Sequence, residues 1–142
     1  MRKDQFVDTL RYHQEHDLLF FGQEITDAVI DFVVSDPEIG GGRRKGKIIF
    51  ATKIPYNTKA YLEEKDEEVR RYYYCHCPWV KESIRNNGLK VTSMFCQCSA
   101  GFHKKPWEMI FGQKLKAKVL SSILQGDDQC RFAIYLPDHV NI

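Results

Sequence analysis

Five cysteines lie in the second half of the chain, four of them in two Cys-x-Cys pairs, Cys75-His76-Cys77 and Cys96-Gln97-Cys98, with Cys130 alone. In an extended segment, residues i and i+2 share a face about 7 Å apart. That separation is long for a disulfide within one pair. Two pairs on adjacent segments can instead converge as four thiolates, the number and type of ligand that tetrahedral zinc takes. The alternative is that each is a small buried hydrophobe, since free Cys is among the most buried residue types. For the clustered four, metal or ligand chemistry is the stronger reading; for any single one, burial is. Nucleophilic catalysis is the minority reading. It would use Cys98 at a helix start, where the N-terminus favours a thiolate, with His76 as base. If Cys75 and Cys77 face inward, His76 faces the other way. His103 stands beside Lys104 and Lys105, company that suggests exposure.

Aromatic residues surround these cysteines. Trp79, Phe95, Phe102 and Trp107, with Tyr72, Tyr73 and Tyr74, can wall a small-molecule pocket or simply build an aromatic core. The first four are the candidate ligand-binding residues.

The elements that must position these groups follow from periodicity. Residues 4–21 read as a helix with Phe6, Leu10, Leu18 and Phe21 on one stripe, interrupted at Gly22. A second helix runs over 24–34 and stops at Ser35-Asp36-Pro37. Gly40-Gly41-Gly42-Arg43-Arg44 reads as a loop, and 47–53 as a strand. Residues 61–71 read as an exposed helix or long loop. Residues 71–77 carry strong β propensity, and Pro78 opens a short helix over 79–85. Asn86-Asn87-Gly88 is a turn signal. A helix over 99–111, capped by Ser99 and closed at Gly112, must deal with Pro106, which suggests a start near Lys105. Residues 114–124 alternate as a strand with Leu115, Val119 and Ile123 facing the helix that carries Trp107 and Ile110. Gly126-Asp127-Asp128 turns the chain into a second strand over 130–136.

The 142 residues fit a single domain, spanning 1–142, with 43% apolar and 28% charged residues. A net charge of +2 with short, separated basic clusters argues against a nucleic-acid partner. No apolar run reaches the roughly 20 residues that span a bilayer. No signal-peptide core follows Met1-Arg2-Lys3-Asp4-Gln5, so a cytoplasmic protein is expected. An odd number of cysteines there disfavours a disulfide framework.

From Cys96 onward the chain resembles the 4-vinyl reductase-like ligand-binding domains. Their relatives include the aromatic-compound sensory domains of bacterial transcription activators and, more distantly, TRAPP-complex subunits. The resemblance is carried by Cys96-Gln97-Cys98-Ser99-Ala100-Gly101, Phe111-Gly112, the strand from Lys114, and Gly126-Asp127-Asp128-Gln129-Cys130-Arg131-Phe132. It covers roughly the last third of the chain. It implies a zinc-binding site beside a ligand pocket, with Cys96 and Cys130 at the first and last ligand positions. Val119 and Ser122 stand where that family has a Glu and a Cys, and Cys75 and Cys77 are candidate replacements. The pattern Cys75-His76-Cys77-Pro78-Trp79 followed by Cys96-Gln97-Cys98-Ser99 is also similar to 2-amino-thiazoline-4-carboxylate hydrolase-like proteins, which would imply hydrolysis of a small sulfur heterocycle.

Together these readings predict an α+β domain: an antiparallel sheet with helices packed on one face and an N-terminal helical pair. They predict a small-molecule-binding module with a cysteine site at Cys75, Cys77, Cys96 and Cys130, zinc as its possible metal, and Cys98 at its edge. A cysteine-dependent hydrolase is the alternative. A homodimer is expected, because the apolar helical pair exceeds what one small sheet needs to cover.

Overall fold

The computed structural model describes residues 2–86 and 90–140, and the fold is α+β. The helices are α1 (Lys3–Glu15), α2 (Asp27–Ser35), α3 (Thr58–Glu63), α4 (Glu67–Tyr74), α5 (Pro78–Arg85) and α6 (Gln97–Phe111). The strands are β1 (Arg43–Lys45), β2 (Ile48–Thr52), β3 (Lys116–Ser121) and β4 (Arg131–Tyr135). They form one antiparallel sheet in the order β1-β2-β4-β3. Two 3₁₀ turns, Ser93–Cys96 and Ile123–Gln125, precede α6 and follow β3.

The register Ile49↔Ile134↔Ala117 and Ala51↔Phe132↔Val119 puts these six side chains on one face of the sheet. Helix α6 covers that face: Trp107 and Phe111 pack against Ile49, Leu115, Ile134 and Leu136. Glu108 accepts from the Leu115 backbone N–H at 2.9 Å and pairs with Lys104 at 3.2 Å, which ties the helix to the start of β3. On the other face, Arg131 clasps Glu38 with two hydrogen bonds of 2.8 and 2.7 Å, and Thr52 Oγ1 donates to the same carboxylate at 2.7 Å. This arginine fork holds the Glu38 carboxyl below its ordinary range.

The N-terminal pair has its own core of Leu10, Ile25, Val29, Ile30, Val33 and Ile39, while Leu18 and Phe21, expected on the first apolar stripe, are exposed. The Lys3 ammonium donates to the carbonyls of Val33, of Asp36 at 2.7 Å and of Ile39 at 2.8 Å. These carbonyls belong to the end of α2 and the turn that follows it, so the lysine ties α1 to that turn.

Several expectations are corrected. Helix α1 ends at Glu15, because Asp17 and Phe21 adopt left-handed backbone angles ahead of Gly22. Arg43–Lys45 is an edge strand, not a loop: Gly42 (φ +79°) lets β1 pass so close to β2 that a Cβ there would meet Ile49 at 2.7 Å. Residues 71–74 are helical despite their β propensity. Asp66 caps α4 through the Val69 N–H, with Glu67 and Glu68 in the first turn and Arg71 in the last. Helix α6 starts at Gln97 and runs through Pro106. The carbonyl that Pro106 leaves unpaired belongs to Phe102, which is exposed to water. Strand β3 stops at Ser121, and Ile123 sits in the 3₁₀ turn that follows. Asn87 and Gly88 of the expected turn lie outside the described residues.

Ile123 is only 2% exposed, yet it packs with Tyr61 and Tyr74 and not under α6. Ile110 of α6 is itself exposed. Because Ile123 joins two buried tyrosines, Ile123→Ala is expected to destabilise the fold by about 2–5 kcal/mol, measured by urea unfolding. A loss too small to shift the midpoint would show that this cluster is not a core.

Candidate functional site

Lys53 follows β2 in the same inward parity as Ile49 and Ala51. Its backbone N–H donates to the Cys130 carbonyl at 3.0 Å, which extends the β2–β4 pairing by one step. The Tyr74 hydroxyl closes this junction. It donates to the Lys53 carbonyl at 2.5 Å and accepts from the Cys130 N–H at 3.1 Å. Tyr74 is fully buried, and burial pushes its phenol far above the usual tyrosine range, so it stays a donor.

This junction forms the floor of a partly enclosed cavity. Cys75, His76 and Cys77, the extended link between α4 and α5, make one wall. Phe95, Cys96 and Ser99, at the start of α6, make the second. Ser122, Ile123, Cys130 and Phe132 make the third. The void is about 20 Å³, room for about one water-sized group.

The structure therefore brings Cys75, Cys77, Cys96 and Cys130 to one cavity, and all four are free thiols. Their sulfurs have separate partners. Cys96 Sγ donates to Ser122 Oγ at 3.4 Å, the Ile123 N–H donates to Cys130 Sγ at 3.4 Å, and Cys75 Sγ donates to the Cys77 carbonyl at 3.8 Å. Among the described residues no group of three or more His, Cys, Asp or Glu side chains is arranged to hold a metal ion. The four thiols are distributed over the three walls of the cavity.

Cys98 is exposed on the outer side of α6 and does not line the cavity. His76 does line it, with Nε2 donating to the Ile54 carbonyl at 2.7 Å. No hydrogen bond joins this Cys98–His76 pair among the described residues. Of the four candidate aromatics, only Phe95 reaches the cavity. Trp79 is 65% and Phe102 75% exposed, while Trp107 packs against the sheet.

Burial sets the electrostatics. It pushes the Cys130 thiol up to about 11, although the Ile123 N–H and Lys53 work the other way, and it raises Cys75 as well. It lowers Lys53, against the pull of the surrounding thiols. Burial, aided by the nearby Lys53 charge, holds His76 and His103 down at about 4. Both imidazoles are therefore neutral at physiological pH. His103 corrects an expectation of exposure: it stacks on Phe132 with ring centroids 4.8 Å apart, and its Nε2 is shielded and without a hydrogen-bond partner. Its inward position follows from lying four residues after Ser99 on one helix face.

Lys53, Ser99, Ser122, His103 and Tyr74 were not among the candidate residues from sequence. Three had a readable signal. A lysine in the parity of two buried strand residues points inward, and Cys96, Ser99, Ala100, His103 and Trp107 share a helical stripe. Ser122 was marked only as the residue at a ligand position of the resembled family, and Tyr74 only as one of several aromatics beside the cysteines.

A family model described as Family of unknown function (DUF6144) matches residues 50–141. This is well over half of the chain, and the chain belongs to that family. The matched stretch contains every residue of the cavity and leaves out the N-terminal helix pair. No curated protein and no solved structure matches the chain.

The different exposures of the five thiols predict an order of alkylation by iodoacetamide. Cys98 should react fastest, and Cys75 and Cys130 slowest, as buried protonated thiols do. Peptide mapping over time reads the order, and Cys130 labelling as fast as Cys98 would contradict the burial of this site.

Proposed function

We propose that this member of the family is a small-molecule-binding domain whose site is the thiol-lined cavity around Lys53. One observation carries the reading: segments distant in the sequence deliver a lysine, four cysteines and two serines to a single partly enclosed cavity. Among the described residues the charged neighbours of the desolvated Lys53 amine are thiols and no carboxylate, which costs stability and leaves the amine open to a polar ligand group. A pocket that combines an apolar wall with a few convergent polar groups is the usual form of a ligand site. The likeness of the last third of the chain to 4-vinyl reductase-like ligand-binding domains supports the same reading. The small void admits only a ligand group of about the size of one water or methyl at the floor.

The cysteine-dependent hydrolase reading is not favoured, because Cys98 points outward while His76 lies on the opposite wall.

The test is a thermal-shift screen of small carboxylic acids, esters and amides. At least one compound should raise the melting temperature saturably, and Cys130→Leu, which fills the void, should abolish the rise. A rise of equal size in the filled variant would place the ligand elsewhere, and a flat screen would count against a ligand site.

A further inference from the structure

Within this cavity, Lys53 Nζ and Ser99 Oγ lie 2.7 Å apart. Both line the void. Ser99 stands in the first turn of α6, a helix of 15 residues. A lysine serving only as a solubilising charge would reach water, and one serving as an ion-pair partner would meet a carboxylate; Lys53 meets a serine hydroxyl among thiols. We infer that Ser99 and Lys53 form a serine–lysine dyad that transfers small acyl groups from esters or amides, with Ser99 as nucleophile and Lys53 as general base. This inference rests on the cavity being the ligand site.

The chemistry closes without a cofactor. The neutral Lys53 amine takes the Ser99 proton as Oγ bonds to the acyl carbon, and the carbonyl π electrons move onto oxygen. The tetrahedral species collapses, and the leaving alkoxide or amine takes the proton back from Lys53. Water then attacks the acyl–Ser99 ester, giving its proton to Lys53. As the carbon–Oγ bond breaks, that proton returns to Ser99, and a carboxylic acid leaves. Desolvation favours the neutral amine that the first step needs. His103, one turn along α6, keeps a shielded and unpaired Nε2 near the same lysine. The void takes about one water-sized group, so the acyl chain is limited to the smallest, with the methyl of an acetyl group as its occupant.

The probe is p-nitrophenyl acetate with the whole chain, read by nitrophenolate release and by peptide mapping of the acetyl group after acid quench. The expected result is acetyl on Ser99, with release falling about a hundredfold or more in Ser99→Ala and in Lys53→Arg. The arginine variant keeps the positive charge but takes up no proton, and circular dichroism checks that both variants are folded. Acetyl found on cysteines and not on Ser99, or release undiminished in either folded variant, overturns the dyad. If folded Ser99→Ala still shows the ligand-induced thermal shift while wild type never acetylates at Ser99, the dyad fails and the binding site stands. If wild type acetylates at Ser99 but no compound shifts the melting temperature, the dyad stands and the binding screen alone has failed.

Discussion

The Tyr74 hydroxyl is the contact on which the site depends. Three segments from separate parts of the chain meet at this one oxygen: the end of α4, the residue after β2 and the residue before β4. It donates to the Lys53 carbonyl and accepts from the Cys130 N–H, while the Lys53 N–H reaches the Cys130 carbonyl. Its phenol ring is walled by Tyr61 and Ile123, and the ring contact with Tyr61 is edge-on with centroids 5.4 Å apart. Without that hydroxyl, two buried backbone groups would lose their partner, a loss worth about 1–3 kcal/mol. Lys53 and Cys130 would also lose the anchor that aims both at the cavity.

From that anchor the chemistry of the cavity follows by burial. Removing water disfavours every charged form, so thiols, imidazoles and the amine all move toward neutrality. The raised thiols of Cys75 and Cys130 beside neutral imidazoles suit an uncharged or weakly polar ligand group. Lys53 is the group whose two states differ most in consequence. Charged, it would hold an anion; neutral, it is a base within reach of Ser99.

The legible parts of the fold were those with strong periodicity or punctuation. β2 and β4 stand out as apolar runs bounded by Pro55 and Pro137, and Pro78 and Gly112 mark helix ends where they were expected. The two Cys-x-Cys pairs pointed to Cys75, Cys77 and Cys96 of the cavity and the family resemblance to Cys130, while Cys98 of the second pair lies outside it. What failed did so for physical reasons. Three consecutive tyrosines read as strand because propensity ignores the Asp66 cap and the charges flanking α4. The four aromatics seemed a pocket wall by proximity in sequence, yet helical geometry turns Phe102 outward and Trp107 inward. Lys53 and Ser99 were passed over because single polar residues acquire meaning only when the fold places them opposite one another.

The direct test of the central claim is Tyr74→Phe, which removes one oxygen and keeps the ring. The variant should lose about 1–3 kcal/mol in urea unfolding, and its Cys130 should alkylate faster than in wild type while Cys98, remote from the junction, keeps its rate. Unchanged stability together with unchanged protection of Cys130 would show that the Tyr74 hydroxyl does not hold this site together.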